Sequence, residues 1–333
     1  MTTLNDLKKR EDLFFDAIPQ LPMGRYVHFV LLRETRSFPI FQTDGTLNVI
    51  RTQAGLKDET LISRLVMFKR KQSSPERLKG RELLRQQGII TDEKGSRFCE
   101  YNSANFCKSC PDCILYGFAI GDAGAEKSKV YVDSAFSITP YEESHKPFSF
   151  NALYEHGTMT QRGETRASFG EQDHIVPQVF FPAVVTLRDP VYESFLYVLG
   201  NILRTDLYGA TDTRTGKVEN HFVAIVFTNG EIFSNLHYTQ AIYDYLKENH
   251  RWSEPLVRGA VLEAGESVYA MLIHQEPVVK WEELRGDRLV SLLAEVHALY
   301  QDEAQTKALL EALDAKTRHY AKEYGAVKSQ GGG

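Results

Sequence analysis

The stretch AVVTLRDPVYESFLYVLGNIL, residues 183–203, followed by HFVAIVFTNGEIF at 221–233, decides the fold. Ala183 to Leu187 (AVVTL), with three β-branched residues in a row, reads as a strand. Asp189-Pro190 then supplies a cap and a first-turn proline. The helix predicted after it runs through Leu203, with Val191, Phe195, Val198 and Ile202 on one apolar face. His221 to Phe227 is a second strand, Asn229-Gly230 a hairpin turn and Glu231 to Phe233 its partner; Tyr238 to Leu246 is again helical. Strand, helix, strand, strand, helix in this order predicts an α+β fold whose core is ferredoxin-like, of the RNA-recognition-motif (RRM) kind.

Working outward, Tyr26 to Leu32 (YVHFVLL) reads as the first buried strand, with Asp44-Gly45 as a turn after it. His28 within it reads as a core or edge histidine. Residues 58–87 read as helical, broken at Ser73-Ser74-Pro75, and Val130 to Ile138 as a strand. From Tyr141 to Pro182 the pattern is irregular and glycine-punctuated, too long for an ordinary connection. One final helix is expected from Asp287 to Tyr324, and a short amphipathic one at Leu4, Leu7 and Phe14. The organisation predicted is a core of residues 1–50 and 130–280 carrying a thumb or lid at about 141–182, a basic, helical and metal-binding insert at 51–129, a helical segment at 281–327 and a flexible tail at 328–333.

The four cysteines all fall in one short run. Cys99, Cys107, Cys110 and Cys113 are spaced C-x7-C-x2-C-x2-C. Two-residue spacings let neighbouring sulfurs point at one centre, and four thiolates close a tetrahedral zinc site with no open position, so the ion would be structural. An iron–sulfur cluster is the rival reading, although the downstream Cys-Pro of ferredoxins is missing. Cysteines confined to one site, a charged N-terminus and no long apolar run give a cytoplasmic protein as the expectation.

The chain has 333 residues and a net charge of −5, which argues against an all-over polyanion binder. That total hides an asymmetry. Between Arg64 and Arg97 stand ten basic and four acidic residues, a net +6, which leaves −11 for the rest. Such a strip favours an oriented contact with phosphates, or is a solvated helix face. Phe68 and Phe98 beside it read equally as core residues or as base-stacking platforms.

Catalytic patterns fail. GDAGAEKS places Glu126 where a phosphate-cradling loop needs glycine, and neither H-E-x-x-H nor G-x-S-x-G occurs. Glu171, Asp173 and His174 are the one acid–histidine group that could serve a metal-dependent nuclease. Binding is therefore expected over catalysis, with a metal-dependent nuclease, an iron–sulfur enzyme or a protein-only scaffold using the acidic C-terminal helix as alternatives.

Three segments carry a resemblance: LNVIRTQAGLKDETLISRLVMFKRK (47–71), FCEYNSANFCKSCPDCILYGFAIGDAG (98–124) and GTMTQRGETRASFGEQDHIVPQVFFPAVVTLRDP (157–190). With them the chain resembles the backbone subunit of type I-D CRISPR interference (Cascade) complexes, of the repeat-associated RNA-binding superfamily. The resemblance implies an RRM-like core with inserted thumb, zinc-binding and helical parts. It implies no catalytic residues. Copies would polymerise along a CRISPR RNA, hold its backbone and present its bases to a target DNA strand, beside large, handle-binding and small Cascade subunits. On this reading Arg51, Arg64, Lys69 and Arg70 contact guide phosphates, with Lys79, Arg81 and Arg85 as further candidates. The excursion from His156 to Gly170 is the thumb, with Met159 as a wedge and Arg162 and Arg166 on phosphate. The four cysteines match the zinc-binding insert.

Overall fold

The computed structural model describes residues 3–325, except residues 122, 123, 152, 155, 156, 159, 162, 163, 166–168, 212 and 213. Its frame is an antiparallel sheet around Tyr26–Thr35, a strand buried at nine of its ten positions. Phe180–Arg188 pairs with it on one side and Arg214–Thr228 on the other. Both neighbours run antiparallel to the middle strand, so they are parallel to each other. The helix Tyr192–Leu203 connects them across it. Val130–Val132 extends one edge of the sheet; Leu207–Thr211 and Lys280–Leu284 pair with opposite ends of Arg214–Thr228 at the other.

Helices cover both faces, and period-two alternation sends residues of one strand into two cores. Val27, Phe29 and Leu31 face Phe195, Val198 and the C-terminal helices. Val30 and Leu32 face the helices Asn235–Glu248 and Arg258–Gln275 through Ile242, Val261 and Val268. Double coverage is why the YVHFVLL run carries no polar alternation beyond His28. That imidazole is buried, bonded to Thr186 Oγ1 at 2.8 Å, Thr228 Oγ1 at 2.9 Å and the Gly230 carbonyl at 3.1 Å. Burial lowers its pKa to about 4, so it is a neutral core residue.

Several expectations change. Residues 231–233 do not pair as a hairpin; Phe233 is buried in the second core. The partner strand, Lys280–Leu284, arrives after two helices, and Asn229 Oδ1 accepts from Val279 N at 2.7 Å to start the pairing. Asp189 does not cap the following helix: its carboxylate accepts from Met23 N and Arg25 N, fixing the entry to the central strand. Ser194 Oγ instead accepts from Val191 N at 3.0 Å, at the N-cap. The C-terminal helix is two, Gly286–Gln301 and Glu303–Tyr324, because Asp302 turns its carboxylate onto Ala304 N and Gln305 N. Residues 61–67 are a strand, paired with Val49–Gln53 and Ala135–Phe136 in a separate three-stranded sheet. VYVDSAFSI accordingly splits between two sheets. The excursion after Tyr141 is a ribbon of His145–Asn151 against Phe169–Ile175, with Thr160–Gln161 paired to Glu164–Thr165 farther out.

Candidate nucleic-acid interface and metal centre

The basic strip folds mainly into one helix, Lys69–Gln86. It starts at Lys69 rather than at Pro75, because the buried Gln72 amide donates to the Met67 and Asp133 carbonyls and fixes the first turn. Its inner face is polar and largely paired, although Gln72 Oε1 and Glu76 Oε2 are buried without a hydrogen-bond partner. Glu76 sits fully buried, 2.8 Å from Arg33 Nη2 of the central strand, and accepts from Tyr208 Oη at 3.0 Å. Gly80 permits a close crossing: a Cβ there would lie 2.5 Å from Tyr197 Oη on the helix Tyr192–Leu203.

Two of the predicted phosphate contacts are spent on this inner structure. Arg64 is fully buried and donates to the carbonyls of Ala54, Ser137 and Ile138, tying the three-stranded sheet to its neighbours. Desolvation lowers its pKa to about 10. Arg81 is fully buried, 2.6 Å from Asp112 Oδ2, and donates to the carbonyl and Sγ of Cys99. Neither guanidinium reaches solvent, so neither is a phosphate contact in this conformation. Arg77 joins them by pairing with Asp112 at 2.7 Å.

The outer face keeps its charge. Lys69, Arg70 and Arg85 are exposed and have no acidic partner among the described residues; Lys79 reaches Glu82 at 2.6 Å. Arg51 is exposed on the strand Val49–Gln53. Arg70, Lys71 and Lys79 border a cleft of about 650 Å³ whose walls include Phe68, Leu78, Tyr101 and Leu207. Met159, Arg162 and Arg166 lie outside the described residues.

Arg77 and Arg81 also fasten the thiol loop to this helix. Cys99 lies in the loop, Cys110 caps the helix Pro111–Tyr116, and Cys113 sits in that helix's first turn. The Sγ atoms of Cys99 and Cys113 are 3.7 Å apart; Cys99–Cys110 and Cys107–Cys113 are each 3.9 Å. Four sulfurs around one ion at Zn–S distances of about 2.3 Å stand about 3.8 Å apart. A four-iron cluster holds its cysteines around a cube and needs them farther apart. Backbone N–H groups of Cys107 and Cys110 donate to the sulfurs of Cys99 and Cys107. Burial pushes the Cys110 thiol well above its ordinary range, while hydrogen bonds from Cys110 and Cys113 push Cys107 below it. A cation among the sulfurs would allow all four to ionise together. The donor set is compatible with zinc, in a structural role.

The acid–histidine group does not converge. Glu171 and Asp173 lie on one side of the strand Phe169–Ile175 and His174 on the other, buried against Phe148. That strand alternation keeps the three side chains from one site and counts against the alternative of a metal-dependent nuclease there. A second acid–histidine group, Glu34, Glu219 and His221, is filled by cations of the chain: Arg258 Nε stands 2.7 Å from Glu34 and Arg36 Nη1 3.0 Å.

No helix of the described residues is long and apolar enough to cross a membrane. No curated protein matches the sequence. Among solved structures the fold is similar to the crystal structure of Thermofilum pendens Csc2, with a TM-score of 0.60 and 14% identity over 96% of this chain and 97% of that one. A chain of a CRISPR RNA-guided surveillance complex aligns with a TM-score of 0.47 and 11% identity, over 87% and 98% of the two chains. A chain of such a complex in a pre-nicking state gives 0.48 and 9%, over 88% and 99%. The Csc2 CRISPR family model matches residues 13–310, and the chain belongs to that family.

Proposed function

We propose that this chain is a non-catalytic backbone subunit of a type I-D CRISPR interference complex, acting in the cytoplasm. Copies of it line up along a CRISPR RNA, hold the guide's phosphates and leave its bases free to pair with a target DNA strand. Large, handle-binding and small Cascade subunits complete the assembly. Family membership supports the setting. The observation that carries the role is the division of the helix Lys69–Gln86. Its inner polar groups are consumed in the fold, whereas Lys69, Arg70, Lys79 and Arg85 face outward, Arg70 and Lys79 along one cleft.

In this reading Arg51 extends the positive surface from the neighbouring strand. The core is RRM-like. The ribbon of His145–Asn151 and Phe169–Ile175 carries the thumb, to which Met159 as a wedge and Arg162 and Arg166 on phosphate are assigned. Zinc at Cys99, Cys107, Cys110 and Cys113 keeps the loop beside the basic helix in place. The test is size analysis of the nucleic acid that co-purifies when a guide RNA is co-expressed. A discrete guide-length RNA carrying many copies of the chain is the expected result. A chain that emerges free of RNA contradicts the role.

A further inference from the structure

The cleft beside the basic helix has a wall that phosphate binding does not use. Phe68, Leu78 and Leu207 border it and are 43%, 40% and 48% exposed. Large apolar groups held open to solvent among cations are the composition of a single-strand site: cations take the backbone and ring faces take bases.

Tyr101 completes this wall from an unexpected place. It lies two residues after Cys99, so its position is fixed by the thiol loop. Its Oη lies 3.3 Å from Ser74 Oγ of the basic helix, and the Arg77 guanidinium stands 4.9 Å from its ring centroid. Arg77 is itself clamped by Asp112, between Cys110 and Cys113. Phe106, in the same loop, meets the ring edge-on at 6.2 Å. Tyr101 is thus held against the helix by the side chains that anchor the cysteines, while it still borders the cleft. Ser74 stands six residues beyond Phe68, about 9 Å along a helix axis. The two rings are therefore separate platforms, one base each, and not the halves of one sandwich.

We propose that this cleft takes unpaired bases of the bound RNA strand, with Tyr101 and Phe68 as their stacking surfaces and Arg70, Lys71 and Lys79 on the adjoining phosphates. The inference rests on the RNA-binding role above. It gives the thiol loop a part in recognition: the centre that folds the loop also sets the position of a base-contacting ring. A bound strand should in turn hold the loop closed, since coupling between two ligands is reciprocal.

The test uses the full chain and an unstructured single-stranded RNA, with affinity measured across a range of salt. Tyr101→Leu and Phe68→Leu keep apolar bulk but lose the ring face. Each should bind about tenfold more weakly. The slope of affinity against salt should stay at the wild-type value, because no phosphate contact is lost. Tyr101→Phe keeps the ring, loses only the Ser74 contact and should bind as wild type. Zinc content and thermal midpoint, read on each variant, show whether the loop is intact. Release of zinc to a chromogenic chelator should be slower with RNA bound. Leucine variants with intact loops that bind as wild type, or that lose salt slope instead of affinity at fixed slope, overturn the stacking subsite while leaving the RNA-binding role standing. A wild-type chain with no salt-dependent RNA binding overturns both.

Discussion

Two sides of one charge run behave as if they belonged to different proteins. On the inner side, Arg64 and Arg81 are buried, caged by carbonyls in one case and paired with Asp112 in the other. On the outer side, Lys69, Arg70 and Arg85 stand in solvent without acidic partners among the described residues. The difference lies in what packs over each cation, not in residue type or helix phase. Arg81 shares a stripe of the helix with Arg70 and Arg85 but is covered by Cys99 and Asp112 of the cysteine segment, while Arg64 is enclosed by backbone carbonyls. Inward cations serve folding because a buried charge must be neutralised or fully hydrogen-bonded. Outward ones bear no structural duty and are available to a ligand. The lesson is that a local net charge measures what a segment carries, while burial determines what it can offer.

The contrast can be broken first at its most buried point. Glu76→Ala leaves Arg33 without its carboxylate inside the sheet, and removal of one partner of a buried pair costs about 3–5 kcal/mol. Chemical denaturation should show that loss. A change below about 1 kcal/mol would mean that the pair does not anchor the basic helix.

A smaller effect tests the same rule through pH. In the unfolded chain the His28 imidazole titrates near about 6.5, whereas burial holds it at about 4 in the fold. Below the unfolded value the unfolded state takes up a proton that the folded state refuses. Stability therefore falls as pH drops from about 6.5 toward 4, by up to about 3 kcal/mol. His28→Gln should flatten that part of the pH profile; an unchanged profile would refute the assignment of a neutral, buried ring.

Next comes Arg64→Leu, which strands the carbonyls that the guanidinium satisfies. We expect a loss of about 2 kcal/mol in denaturation, with the salt slope of RNA binding unchanged. A lower slope with full stability would return Arg64 to the phosphate contacts. The smallest stability effect belongs to the outer face: Arg70→Ala should leave stability within about 0.5 kcal/mol and act on binding alone.

How far the sequence carried is visible in the same residues. The central strand and its two neighbours were legible because continuous apolar runs need burial on both faces. The four-cysteine cluster was legible because its spacing is local, and the structure brings the four sulfurs within reach of one ion. The helix Arg258–Gln275 was missed. Its face of Val261, Ala264, Val268 and Leu272 keeps helical spacing, but Gly259 and Gly265 among small residues blur it. Arg64 and Arg81 were misread because their partners are far away in the chain or are backbone carbonyls, which no composition window registers. Glu171, Asp173 and His174 offered only an alternative, and it fails for the opposite reason: adjacency in a strand sends neighbours to opposite faces. Tyr101 carried a signal in its position two residues after a ligand cysteine, but its meaning depended on where the loop docks.

The central claim is that the outer face of the helix Lys69–Gln86 holds guide phosphates. The measurement that meets it most directly is the salt dependence of single-stranded RNA binding by the wild type and by a Lys69→Ala, Arg70→Ala, Arg85→Ala variant of matched stability. Each lost phosphate contact should lower the log–log slope by about 0.7, so the variant should show a slope shallower by about 2 together with weaker binding at low salt. Identical slopes for the two proteins would contradict the account and move the guide to another surface.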